Sequence, residues 1–331
     1  EDWQAVLRLT ESPDIKFMFS NTTEAGLSYM QEDYDPNKAP LSFPGKVTAF
    51  LYHRYRFFNG APDSGLIIIP CELVENNGLI LKELVLKIAE DWQLPDKFKR
   101  WVEQHNRFCN TLVDRIVPGY PKEDIETYTA RLHYKDELLT VAEPYHLFVI
   151  DADQKVADMI PFHKAGLNVK WGDVTPYRNL KVGLLNAPHT MMFAASYLSG
   201  HDTVSETMDD QCLFSFILQA INEELLPYIE CDEVEKKQFI QSVLERFRNP
   251  YNKHFLTDIG LNAVYKFRTR IIPLLEKFVK HSGRLPRAML FSLAALIAYY
   301  RAEKQEGDFL IGNRDGETYL IRDNKEVIDV F

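Results

Sequence analysis

Gly65-Leu66-Ile67-Ile68-Ile69-Pro70-Cys71 is a short, almost wholly apolar run bounded by a glycine and a prolyl pair. Alternation is absent, so both faces of a strand built from it would be covered, as in a parallel sheet flanked by helices. Upstream, Ile15 to Ser20 (IKFMFS) reads as a second such strand, with Lys16 its only charge. Between the two, Lys46 to Phe58 carries apolar residues at helical spacing. Leu79 to Ala89 and Leu94 to Phe108 read as further helices. Strand, helix, strand, helix with short connections predicts a partial Rossmann-type α/β parallel sheet. From Thr111 to Leu180 the pattern loosens, and His146 to Ile150 and Leu167 to Val174 read as appended, partly antiparallel strands.

After Leu180 the character changes. Leu184 to Leu198, Val204 to Tyr228, Val234 to Phe247, Phe255 to Val279 and Pro286 to Tyr300 all read as helices, with turns at Gly200, Asn249-Pro250 and Gly283. The expectation is therefore a sheet domain over 1–179 followed by an all-helical domain over 180–331.

The 331 residues are 46% hydrophobic and 12% aromatic, ample for a packed core. Their 38 basic residues stand against 48 acidic ones, a formal charge of -10. That balance argues against a nucleic-acid partner, whose backbone needs a concentrated positive surface. Cys71, Cys109, Cys212 and Cys231 have no metal-like spacing, the His residues form no metal motif, and reduced thiols fit a cytoplasmic protein. The longest apolar stretch, Met289 to Tyr300, lies between Arg287 and Arg301 and is too short to span a bilayer. Glu223-Glu224 reads as surface charge.

The chemistry concentrates in Lys181-Val-Gly-Leu-Leu-Asn186-Ala-Pro-His189-Thr190. Asn186 and His189 are three apart and share a helix face, while Pro188 starts or kinks that helix. A Lys, a carboxamide and an imidazole can together interconvert a carbonyl and an alcohol. The ammonium gives or takes the hydroxyl proton, the amide donates to the developing alkoxide, and the imidazole orients the hydroxyl. By composition alone, a surface Lys, an Asn cap and a partly buried His are the more ordinary reading. The turn Asn21-Thr22-Thr23-Glu24 follows the first strand at its carboxyl end, where open α/β sheets bind ligands. Cys71-Glu72 has the analogous place after the second strand. Arg246, Arg248, His254, Lys266, Arg268 and Arg270 form a later basic group suited to a carboxylate.

Five segments in order carry a resemblance: Ser20-Asn-Thr-Thr-Glu-Ala-Gly26, Ile67-Ile-Ile-Pro-Cys-Glu-Leu73, Asn110-Thr-Leu-Val-Asp-Arg-Ile116, Lys181 to Thr190, and Arg246-Phe-Arg-Asn-Pro-Tyr251 with Lys266-Phe-Arg-Thr-Arg270. Over essentially its whole length the chain resembles the long-chain mannitol dehydrogenase family, nearest its tagaturonate reductase branch. The resemblance implies a Rossmann-type cofactor domain, a helical substrate domain and an active site in the cleft between them. It places the catalytic lysine on Lys181, its asparagine on Asn186, its histidine on His189 and a second oxygen-polarising asparagine on Asn110. Asn21, Thr22, Thr23, Glu24 and Cys71 fall on the NAD side, and Arg248 and Lys266 on the substrate side. Implied is NAD-dependent interconversion of tagaturonate and altronate, without a metal, a nucleic-acid or a membrane partner. Fructuronate or a neutral ketose is the nearest alternative substrate. The family's Gly-rich turn and its NAD-selecting acidic residue are absent and are expected upstream of Glu1. If they were lost rather than upstream, the chain would be a non-catalytic protein.

Overall fold

The computed structural model describes residues 2–22, 26–117, 119–122, 124–251, 254–307 and 309–330, without the side chain of His163. Thr23 and Glu24 lie outside the described residues. The chain divides into two compact units, 1–116 with 144–174, and 117–143 with 175–331. Segment 117–143 therefore goes with the second unit, a crossing that no simple division at 179/180 anticipates.

In the first unit, strands β1 (Phe17–Ser20), β2 (Ile67–Pro70) and β3 (Arg107–Phe108) form a parallel sheet with β2 in the middle. Ile68 and Ile69 of β2 are fully buried, as the unalternated run requires. The helices Phe43–Phe57, Asn77–Asp91 and Asp96–His105 supply Leu51, Leu81, Val85, Phe98 and Trp101 to the same core. The third helix ends earlier than its apolar spacing suggests. Asn106 turns extended, its Oδ1 accepts from the Leu66 N–H (2.9 Å), and its Nδ2 donates to the Trp101 carbonyl (3.1 Å). That double bond releases the chain into β3. Two residues on, β4 (Thr111–Asp114) pairs antiparallel with β5 (Leu147–Ile150), which runs parallel to β6 (Val169–Trp171). The amino-terminal segment is held by Arg54, which is fully buried and donates to the carbonyls of Thr10, Ser12, Ile15 and Ser64. Four carbonyl acceptors compensate the desolvation of its guanidinium.

Among the described residues, the elements of the second unit between Thr175 and Tyr299 are helices. The expected helix over 204–228 is divided at Asp210, which turns extended and caps a new helix, Gln211–Gln219, through the N–H groups of Cys212 and Leu213. Phe255 to Val279 breaks likewise, at the left-handed Asn262 and at Ile271 ahead of Pro273. Glu224 is corrected from surface charge to a buried cap. Its carboxylate accepts from the N–H groups of Ala288 (2.8 Å) and Met289 (2.9 Å), the opening donors of the helix Arg287–Tyr299. Beyond Tyr299 the chain adds an antiparallel sheet, β7 (Ala302–Glu306), β8 (Phe309–Arg314) and β9 (Glu317–Ile321). Its second turn is the two-residue loop Asp315-Gly316, both at positive φ, as a tight hairpin demands. The sheet docks through Tyr319, whose ring stacks on Tyr299 and whose hydroxyl donates to the Tyr299 carbonyl (2.7 Å). Among the described residues, no helix is long and apolar enough to cross a membrane.

Candidate active site

In the first unit the candidate residues gather at the carboxyl ends of β1, β2 and β3. Glu72, only 2% exposed, follows β2 and holds the segment after β1. One carboxylate oxygen accepts from Ser20 Oγ (3.0 Å), the other from Thr22 N (2.9 Å) and Thr22 Oγ1 (2.9 Å). Asn21 and Thr22 are exposed on this anchored turn. Cys71 is half-buried; burial, and then the Glu72 carboxylate, push its thiol up to about 11, so it is protonated and inert at neutral pH. Asn110 joins β3 to β4. Its Oδ1 accepts from the Leu79 N–H (3.1 Å), and its carbonyl accepts from Asp151 N (2.8 Å).

In the second unit the five-residue spacing of Lys181 and Asn186 finds its reason. Lys181 ends the helix Thr175–Lys181, a π-helical turn spans Val182–Asn186, and the helix Ala187–Leu198 follows. In an α-helix, with 3.6 residues per turn, residues five apart point about 140° away from each other. The wider π turn closes its hydrogen bonds over five residues, as in Ala187 N–H to Val182 O, and so brings Lys181 and Asn186 nearer to one face than an α-helix would. Pro188 sits in the first turn of the next helix and is fully compatible with it. Gly183 leaves room for Ile229, whose Cδ1 would lie 2.3 Å from a Cβ placed there.

His189 is buried, its ring 4.4 Å from Phe247 and 4.8 Å edge-on from His254. Its Nε2 has no hydrogen-bond partner among the described residues. Burial holds its pKa well below the ordinary histidine value, with His254, Arg246, Arg270 and Lys266 adding to the effect. His254 is depressed too, chiefly by its own burial. The imidazole is thus neutral in a cationic surround. Arg246 is buried and doubly paired with the buried Glu143, Nε to Oε2 at 3.1 Å and Nη2 to Oε1 at 2.9 Å. Arg270 donates to Thr190 Oγ1 (3.2 Å), which donates to the Asn186 carbonyl (2.9 Å). Lys266 Nζ donates to the Ile259 carbonyl (3.1 Å). Arg248, by contrast, is exposed and lies over the Phe214 ring at 4.3 Å. Arg246 and Arg270 are therefore the arginines whose charge His189 feels. Glu143 escaped the sequence reading, since a lone carboxylate in a polar stretch gives no sign of burial, and Glu72 was marked there only by its place after the second strand.

The family model for the mannitol dehydrogenase Rossmann domain matches residues 1–164, and that for the mannitol dehydrogenase C-terminal domain matches 173–326. The chain belongs to the mannitol dehydrogenase family. Among its relatives, the altronate oxidoreductase of Halalkalibacterium halodurans is 54% identical over 330 residues, covering 100% of this chain and 64% of the relative. That of Yersinia enterocolitica is 45% identical, covering 96% of this chain and 64% of the relative. The chain thus spans less than two thirds of the length of these relatives. Of solved structures, a substrate-free D-sorbitol dehydrogenase superposes with a TM-score of 0.77 at 23% identity, over 92% of this chain and 64% of the other. Mannitol 2-dehydrogenase of Pseudomonas fluorescens, a ternary complex with NAD and D-mannitol, gives 0.66 at 21%, over 99% and 66%. At such identities these two support the fold of the mannitol dehydrogenase family and nothing finer. Among the described residues, no group of three His, Cys, Asp or Glu side chains is placed to hold a metal ion.

Proposed function

We propose that this chain is part of an NAD-dependent oxidoreductase that interconverts tagaturonate and altronate. The observation that carries the reading is the neutral, buried His189, its Nε2 without a hydrogen-bond partner among the described residues, on the helix that follows the π turn between Lys181 and Asn186. The similarity to altronate oxidoreductases supports the substrate.

The first unit fits a dinucleotide. The exposed Asn21-Thr22 turn, immobilised by Glu72, lies at the carboxyl end of a parallel strand, where such sheets bind nucleotides. Asn21 and Thr22, with Thr23 and Glu24, would hold it. When bound, the nicotinamide supplies the hydride in reduction and accepts it in the reverse direction. Lys181 gives its ammonium proton to the oxygen of the reduced carbonyl and takes it back when altronate is oxidised. The amide of Asn186 donates a hydrogen bond to that oxygen as its charge grows, and the family resemblance gives Asn110 the same kind of role. His189, kept neutral, offers Nε2 to a substrate hydroxyl without adding a positive charge. Arg270 and Lys266 set a positive potential that suits the uronate carboxylate; Arg248 is a weaker candidate, since it stacks on Phe214. All four cysteines are free thiols, which favours the cytoplasm.

The test is NADH consumption by the full-length protein with tagaturonate, fructuronate and fructose in parallel, repeated with NADPH. Turnover confined to tagaturonate with NADH supports the reading. Preference for another ketose keeps the chemistry and moves the substrate. Failure with all three favours a non-catalytic protein.

A further inference from the structure

We propose that Asn77 and Gly78 are positioning residues that fix the Asn110 carboxamide as a one-way hydrogen-bond donor. The functional half of this inference rests on the reductase reading above.

The first N–H groups of a helix lack intrahelical acceptors and must find others. The helix Asn77–Asp91 has no ordinary cap: Asn76 is left-handed (φ 57°) and its side chain makes no capping bond. Two neighbouring amides replace it. Asn77 Oδ1 accepts from Gly78 N (2.9 Å), and Asn110 Oδ1, thirty-one positions on, accepts from Leu79 N (3.1 Å). Only an acceptor can face an N–H, so this bond settles which end of the Asn110 amide is oxygen. Its Nδ2 is left facing elsewhere, and no described residue accepts from it. A helix N-terminus therefore engages the oxygen, while the two N–H bonds stay available to a ligand oxygen.

The approach that makes this possible needs glycine. A Cβ on Gly78 would lie 2.5 Å from both the carbonyl carbon and oxygen of Cys109, and 2.8 Å from Asn110 N. These are backbone atoms in a sheet crossover, not the yielding tip of a side chain. Asn77, 1% exposed, fixes the other side of the contact. Its Oδ1 also accepts from Thr111 N (2.9 Å), and its Nδ2 lies within hydrogen-bond distance of the Pro70 carbonyl (2.9 Å), the Glu72 carbonyl (3.0 Å) and Thr111 Oγ1 (2.9 Å). Thr111 Oγ1 donates in turn to the Pro70 carbonyl (2.5 Å). Residues on both sides of Asn110 are thereby tied to the end of β2 and to the helix start. A donor held this rigidly loses no reorganisation energy when charge develops on the oxygen it meets.

Two readouts on the full-length enzyme test this, one independent of turnover. Exchange of the Leu79 backbone amide with deuterium reports the Asn110 contact, and kcat against the KM for NADH reports the donor. Asn110→Asp keeps an acceptor for Leu79 and loses the donor. It is expected to retain Leu79 protection while kcat falls about 10²- to 10³-fold, the usual effect of deleting one such donor. Asn110→Ala is expected to lose both. Gly78→Ala is expected to release Leu79 and lower kcat with the KM for NADH little changed. Free exchange of Leu79 in the wild type, or full turnover by Asn110→Asp, overturns the proposal; so does an unchanged kcat in a folded Gly78→Ala. If Gly78→Ala does not fold, the two Asn110 variants decide. A wild type inert towards every ketose refutes the reductase reading instead. The positional half is then judged by exchange alone: it stands if Leu79 is protected and freed by Asn110→Ala, and falls if Leu79 exchanges freely.

Discussion

Replacing Glu72 with alanine should loosen the segment that follows β1 and weaken NADH binding while leaving the sheet intact. Three hydrogen bonds end on this buried carboxylate. Bonds to a charged group contribute about 1.5–3 kcal/mol each when nothing replaces them. Thr22 is exposed, so water takes over most of what its N–H and hydroxyl lose. Ser20 is buried and loses its bond outright. The net cost is then about 2–3 kcal/mol, borne locally. If it is charged wholly to the binding-competent turn, the dissociation constant for NADH rises about 30- to 150-fold. Glu72→Gln keeps an acceptor for Thr22 and offers its NH₂ to Ser20 Oγ, so its effect should be about fivefold or less. Titration of NADH fluorescence on the full-length protein, with circular dichroism as a fold control, measures both. An alanine variant that is folded and binds NADH as tightly as the wild type would refute the role given to Glu72.

Glu224→Ala should destabilise the protein by about 2–4 kcal/mol in urea unfolding, because two buried helix N–H groups lose a charged acceptor; Glu224→Gln should cost less than half of that. His189 is depressed in the folded state, whereas the unfolded chain protonates near 6.5. The unfolded state thus binds more protons below that pH. The His189 contribution should be complete above about pH 6.5 and decline as pH falls, by up to about 1.4 kcal/mol per unit; His254 acts in the same direction. Urea midpoints between neutral and mildly acid pH should fall more steeply for the wild type than for His189→Phe. Iodoacetamide at mildly alkaline pH should label the exposed Cys212 well before Cys71 and Cys109, whose thiols burial raises to about 11; mass spectrometry of the peptides checks the order.

Much of the architecture was legible where burial is complete. The runs around Phe17 and Ile68 have no polar alternation, and both became parallel strands, the second buried in the middle of the sheet and the first paired beside it. The mostly apolar stretch from Met289 became a helix that packs on one side through Met289, Ser292, Leu296 and Tyr299. Legibility failed where one polar atom decides the outcome. Asn106 ends a helix that its apolar spacing would continue, and Asp210 starts a new one inside a helical pattern. Strand β7, Ala-Glu-Lys-Gln-Glu, is nearly all polar and shows no strand periodicity, although Asp315-Gly316 was a hairpin signal available in the sequence. In the candidate site the sequence offered residue types and no geometry. A π turn lies between Lys181 and Asn186, which no periodicity announces. The buried carboxylates Glu72, Glu143 and Glu224 are distinguished only by what surrounds them.

The central claim is that Lys181 moves the proton in the reaction. The measurement is single-turnover reduction of tagaturonate by NADH in the full-length enzyme, comparing wild type with Lys181→Ala, without and with added methylamine. The claim requires a rate loss of about 10²- to 10⁴-fold in the variant, the range usual for removing a general acid, and partial recovery as the amine concentration rises. A variant that reduces tagaturonate at the wild-type rate would contradict it.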